Sequence, residues 1–200
     1  MKDKVEFSPK ELHLLEDRET LLLKKAILEK LEDLLGLLHL NLQDDLRKID
    51  INFPSYMLKN PGKLSRGENY HYFPYRLLDF PAFFQKTDWV FYRTIIIWGH
   101  HISFNFMAQG DPLKQCLDKL VEIERARGHS IRIAKGKDPW IWVPEEGDEE
   151  AIDDLSIQGL RERIHSSGFL KLSAYLPLGE YHQVPEVGTR YWQLFREIFF

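Results

Sequence analysis

Two apolar runs meet at one point of punctuation: Trp89-Val-Phe-Tyr-Arg-Thr-Ile-Ile-Ile-Trp98 and Ile102-Ser-Phe-Asn-Phe106 flank Gly99-His100-His101. β-Branched and aromatic residues dominate both, and a Gly-His pair between them suits a two-residue type II′ turn, so the pattern predicts an antiparallel hairpin. That turn sets Trp98 opposite His101, Ile96 opposite Ser103, Thr94 opposite Asn105 and Tyr92 opposite Met107. Side chains alternate with a period of two, so these eight share one face, while Phe91, Arg93, Ile95, Ile97, Ile102, Phe104 and Phe106 share the other. The second set predicts a core face. The first mixes aromatic walls with hydroxyl, amide and imidazole groups, the composition of a ligand pocket and equally of a half-wet sheet face. Arg93 is the exception on the apolar face: its guanidinium needs a carboxylate, Asp79 or Glu68, unless it lies near a sheet edge and grips an anionic ligand.

Around this hairpin the elements mix without strict strand-helix alternation, which predicts a single α+β domain over 1–200 with a largely antiparallel sheet. Residues 1–45 form a leucine-rich N-terminal helical region. Ser8-Pro9-Lys10-Glu11 combines a serine cap, a proline in the first turn and a glutamate three residues on. Leu23, Ile27, Leu31, Leu34, Leu35, Leu38 and Leu42 recur at spacings of three and four, an amphipathic pattern. Unbroken to Leu40 such a helix would run about 48 Å, long for a domain of this size, so a break is expected near Asp17 to Thr20 or at Gly36. The stripe packs on a core or forms a dimer seam. Residues 59–110 read as a loop, irregular to about Tyr75, feeding the hairpin. Residues 111–200 supply a helix from Asp111-Pro112 to Gly128, paired strands at 130–134 and 140–143, a helix over 155–164 stopped by Gly168, a strand over 169–176, and a C-terminal helix from Val187.

The net charge of −4 gives no broad attraction to nucleic acid or anionic lipid, and no nucleic-acid motif accompanies it. The apolar run from Val90 to Trp98 contains Arg93 and is far short of the roughly 20 residues that span a bilayer. Neither a nucleic-acid nor a membrane partner is expected. The first residues alternate charges where a secretory leader would be basic and then apolar, and the one cysteine, Cys116, fits a reducing compartment; the expectation is a cytoplasmic protein. A basic block, Arg125 to Lys137, precedes an acidic one, Glu145 to Asp154; either both are solvated or they meet, within one chain or across a homodimer.

The loop Lys63-Leu-Ser-Arg-Gly-Glu-Asn-Tyr-His-Tyr-Phe-Pro-Tyr-Arg76 concentrates the remaining chemistry. Gly62 to Gly67 offers glycines, two cations and a hydroxyl, the ingredients of a backbone nest for phosphate or carboxylate, although Glu68 stands where a Walker A loop needs lysine. Four aromatics between Tyr70 and Tyr75 argue that the loop packs, across the mixed face of the hairpin. The candidate ligand-binding set is Lys63 and Arg66 as anion contacts, Tyr70 and Trp98 as walls, and Asn69, His101 and Asn105 as hydrogen bonders. If the protein is an enzyme, His71 or His101 is the candidate general acid/base and Glu68 its orienting partner. No metal is expected, because His100 and His101 point to opposite faces of a strand and only a set of His71, His101 and Glu68 would converge. No residue pattern implies a cofactor.

Lys63 to Tyr70 and Arg93 to Phe106 resemble a family of bacterial conserved hypothetical proteins of about this length. The resemblance covers the middle quarter of the chain and implies no substrate, cofactor or catalytic residue. The expectation is therefore a small-molecule or protein-binding domain taking an anionic ligand, with an enzyme of unspecified class and a homodimeric interaction protein as alternatives.

Overall fold

The computed structural model describes residues 5–48, 62–144, 147 and 149–200. The Ser8 capping box forms as expected: Glu11 N donates to Ser8 Oγ at 3.3 Å, and Ser8 N donates to Glu11 Oε2 at 2.7 Å. It opens α1 (Pro9–Glu16). The expected break falls at Asp17, whose ψ of 91° ends α1 and whose carboxylate accepts from Thr20 N at 3.0 Å to cap α2 (Arg18–Arg47). Gly36 passes within α2 without a break.

Seven strands form one antiparallel sheet in the order β1-β2-β3-β4-β7-β5-β6. They are β1 (Lys63–Tyr70), β2 (Phe73–Phe84), β3 (Trp89–Ile97), β4 (His101–Gln109), β5 (Arg132–Ala134), β6 (Glu149–Ala151) and β7 (Leu170–Pro177). Between them lie α3 (Asp111–Asp118), a 3-10 turn over Leu120–Ala126, α4 (Ile157–Ser167) and the closing α5 (Val184–Phe199). Gly168, at φ +80°, takes the left-handed conformation that stops α4. The α+β architecture expected from sequence is the one observed.

Three expectations need correction. Residues 63 to 76 are not a loop but the β1–β2 hairpin, turned at His71 and Tyr72, both at positive φ, where Asn69 Oδ1 accepts from Tyr72 N at 3.0 Å. The stretch 140–143 is not a strand; β5 pairs with β6 and β7 instead. The β3–β4 register is shifted by one, with Ile96 opposite Ile102, Thr94 opposite Phe104 and Arg93 opposite Asn105. The cause is a three-residue connection, Trp98-Gly99-His100, in which Gly99 adopts φ +86° and His100 N donates to Ile97 O. A slip of one residue moves every β4 side chain to the other face.

With that register the faces sort cleanly. Tyr92, Thr94 and Ile96 lie with Ile102, Phe104 and Phe106 on the helix side, against Leu35, Leu38 and Leu42 of α2 and Trp192 and Phe195 of α5. The α5 stripe Val184, Val187, Gly188, Tyr191, Trp192, Phe195 follows the three-and-four spacing of a buried helix face. Burying a side chain such as Phe195 stabilises by roughly 1.5–3 kcal/mol. Gly188 lets α2 and α5 approach: a Cβ there would stand 2.8 Å from Leu38 Cδ1 and 3.0 Å from Phe104 Cε1. Gly188→Ala is therefore expected to lose about 1–3 kcal/mol by overpacking, measured as a lower urea midpoint at unchanged slope.

Candidate functional site

The opposite sheet face carries a polar row. Cross-strand neighbours run Lys63, Asp79, Arg93, Asn105, Ser173 and Arg132 from β1 to β5 at one level. Arg93 meets Asp79 through two hydrogen bonds, Nε to Oδ1 at 2.6 Å and Nη2 to Oδ2 at 2.8 Å, so of its two expected partners Asp79 is the one used. Asn105 donates to Ser103 Oγ at 3.0 Å and to the Arg93 carbonyl at 3.3 Å. Beside the row sit Lys171 and Tyr175 of β7 and Glu149 of β6. Tyr175 Oη donates to Glu149 Oε2 at 2.8 Å, Ser173 Oγ donates to Oε1 at 3.3 Å, and Lys171 Nζ lies 3.9 Å from Oε1. Burial and the adjoining carboxylate push the Tyr175 hydroxyl well above its ordinary range. Burial lowers Lys171 to about 8 although Glu149 pulls the other way.

From Asp79 to Ser173 this row is covered. Residues 135–144 cross it as a strap whose tryptophans lie on the cations: Arg93 Cζ is 4.8 Å from the Trp142 ring and 5.7 Å from that of Trp140, and Lys171 Nζ is 4.7 Å from Trp142. Polar links fasten it, Trp142 N donating to Tyr70 Oη at 2.8 Å, His101 Nε2 to Trp142 O at 3.0 Å, and Lys171 Nζ to Ile141 O. A carbonyl only accepts, so the proton of His101 is on Nε2. Asn105, Ser103 and Ser173 are at most 1% exposed. The site expected across this face is thus filled by side chains of the protein itself.

The sequence candidates separate into three places. Asn105 belongs to the buried row. Tyr70, His71, Trp98 and His101 lie at the sheet end where the two hairpin turns meet: Trp98 N donates to Pro74 O at 3.0 Å and the Phe73 and His100 rings are 4.4 Å apart, with Asn69 shaping the first turn. Lys63, Arg66 and Glu68 lie on β1, the edge strand, beside α2. Glu68, His71 and His101 therefore do not converge, and among the described residues no three His, Cys, Asp or Glu could hold a metal. The glycine nest is also absent, since Lys63 to Gly67 runs as extended strand.

Two open clefts lie on the α2 side. One of about 360 Å³ is lined by Leu21, Lys24, Lys25, Leu28, Glu29 and Glu32 of α2 with Arg66, Glu68 and Arg76. A second of about 550 Å³ follows the outer edge of β1 and is lined by Lys63, Leu64, Ser65 and Arg66 with Glu32. The two share Glu32 and Arg66. Successive strand residues point to opposite faces, yet Lys63 and Arg66 both reach this edge cleft. Each carboxylate here is already engaged: Glu32 accepts from Arg76 Nε at 2.6 Å, Glu68 pairs with Lys24 at 2.9 Å and with Arg76 at 3.3 Å, and Glu29 lies 3.7 Å from Lys25. The Lys24 hydrogen bond, followed by that from Arg76, holds Glu68 below the usual carboxylate range. Among the described residues Lys63 and Arg66 form no ion pair, so the groove holds an excess of positive charge in a chain of net charge −4.

Sequence reasoning missed Lys24, Lys25 and Glu32, which come from an element read only for its leucines, and Arg76, which was read only as the end of a loop. It also missed Lys171, Ser173 and Tyr175, whose signal is the alternation Leu170-Lys-Leu-Ser-Ala-Tyr-Leu176. The basic and acidic blocks do meet within the chain: Arg132 Nε lies 3.7 Å from Glu149 Oε2, Arg127 donates to the Ile152 and Leu155 carbonyls, and Gly128 N donates to Asp153. Glu145, Glu146 and Asp148 lie outside the described residues. Cys116 is buried in α3 and its thiol is pushed up to about 12, as suits a structural cysteine. No described helix is long and apolar enough to cross a membrane. No protein family model, curated protein or solved structure matches this chain.

Proposed function

We propose that this protein is a cytoplasmic binding module, without catalysis of its own, that captures an anionic group in the groove between α2 and the β1 edge. The observation that carries the reading is the pair Lys63 and Arg66, cations without an ion pair among the described residues, in a groove whose carboxylates are all taken. A phosphate or carboxylate entering there finds a guanidinium suited to two parallel hydrogen bonds, with the Lys63 ammonium beside it. The Ser65 hydroxyl lines the same cleft. Neither His71 nor His101 lines either groove, and His101 spends a ring nitrogen on the Trp142 carbonyl, which favours binding over histidine catalysis.

Titration calorimetry with inorganic phosphate, a tricarboxylate and short acidic peptides tests this. Arg66→Ala is expected to weaken the best of these about 10- to 100-fold, the worth of a hydrogen bond to a charged group, and Lys63→Ala less. Both residues are exposed, so the thermal midpoint should stay where it is. Binding unaffected by the double substitution would overturn the site. Tightest binding by a peptide would assign the groove to a protein partner rather than a metabolite.

A further inference from the structure

Helix α1 has no buried residue, and the first turns of α2 are no better covered. Leu14, Leu15 and Leu22 are 58%, 66% and 66% exposed, and Leu12, Leu21 and Leu23 are likewise open to solvent. An isolated eight-residue helix is not self-sustaining in water, because nucleation is costly and one capping box adds only about 1 kcal/mol. A sequence that places leucines all round such an arm implies that something covers it. We propose that the cover is the same arm of a second copy of this chain, packed about a two-fold axis.

Three observations select that occupant. The exposed apolar side chains of residues 5–23 amount to something on the order of 800 Å², the share each partner brings to a standard stable interface. Both signs occur along the arm, with acids in excess (Glu6, Glu11, Glu16, Asp17 and Glu19 against Lys10 and Arg18), so a two-fold pair can set the bases of one copy against acids of the other, and the arm lacks the basic polar face of a helix that lies on anionic lipid. The surface is also self-complementary in shape. Phe7, Leu14, Leu15 and Leu21, with Glu11, line an apolar cleft of about 320 Å³, roomy enough for leucine side chains, while Leu12, Leu22 and Leu23 stand off it as knobs. In a two-fold pair each arm supplies both cleft and knobs, as a closed isologous contact requires.

Sedimentation velocity of the full chain from about 1 to about 100 μM decides it. A two-fold mass is expected for the wild type. Leu15→Glu with Leu22→Glu should raise the dissociation constant at least about 100-fold, while the circular dichroism melt of the sheet core stays unchanged, since both side chains are exposed in the protomer. If that variant loses its fold, Leu15→Ser with Leu22→Ser serves instead, with a smaller shift in the same direction. A wild type that stays monomeric across the range overturns the proposal, as does a dimer that neither pair of substitutions weakens. A monomer that sediments with anionic vesicles would assign the arm to a lipid surface and overturn it as well.

Discussion

Asp79→Ala is expected to destabilise the protein by about 3–5 kcal/mol, a large share of a domain's total stability. The Arg93 side chain is 12% exposed and that of Asp79 7%, so the guanidinium has exchanged most of its hydration for one carboxylate and the faces of aromatic rings. Arginine cannot lose its proton to escape that environment. Removing the carboxylate leaves a full charge in the sheet with cation–π attraction alone, worth about 2 kcal/mol when desolvated, against a penalty of several. The double variant Asp79→Ala/Arg93→Met removes the charge as well, and it is expected to recover to within about 1–2 kcal/mol of the wild type, because replacing a buried pair costs far less than breaking it. Urea unfolding of the four proteins closes the cycle. A single-variant loss below about 1 kcal/mol would show the pair to be worth no more than a surface ion pair.

That ion pair was legible in the sequence, as one of two alternatives, because an arginine in a run of β-branched residues calls for a carboxylate. Local signals were legible for a related reason. The Ser8 box, the break at Asp17 and the Gly168 stop depend only on residues within one turn, and all three appear in the structure. The β3–β4 register was not, since Trp98-Gly99-His100 accommodates a two- or a three-residue connection, and the choice decides which face His101, Ser103 and Asn105 occupy. Residues 63–76 misled in another way: Gly67 and Pro74 punctuate them like a loop, yet an edge strand with one partner and a solvated side needs no apolar alternation. Trp140 to Val143 has strand composition but uses its rings to cap Arg93 and Lys171 instead of pairing its backbone. The groove could not be read at all, because Lys63 and Arg66 acquire meaning only once α2 brings Glu32 beside them. Their expected role as anion contacts came from residue type alone, and the structure adds the cleft they line.

Stability is expected to rise by roughly 3 kcal/mol between pH 8 and pH 10.5 relative to a Lys171→Met variant, the energy equivalent of a lysine pKa lowered from 10.5 to about 8. The lysine is 2% exposed, and burial outweighs the pull of Glu149. In that window the unfolded chain keeps the lysine proton and the native chain has released it, so the unfolded state binds more protons and stability climbs with pH. Below pH 8 both states hold the proton, the native amine remains charged under Trp142, and the cost of burying it is felt in full. Above 10.5 neither state holds it and the curve is flat. Subtracting the variant cancels the tyrosines and other lysines that titrate in the same range. The variant also leaves the Ile141 carbonyl without its donor, a loss of about 1–3 kcal/mol that does not vary with pH and so offsets the difference curve without tilting it. Chemical denaturation at half-unit steps of pH gives the slope. A curve that stays flat from 8 to 10.5 would mean that the amine is hydrated in the native state, and the 140–142 strap would then be open in solution. A rise of the expected size means that the strap is closed over a charge throughout the neutral range, so that the polar row is shut while the groove between α2 and the β1 edge stays open.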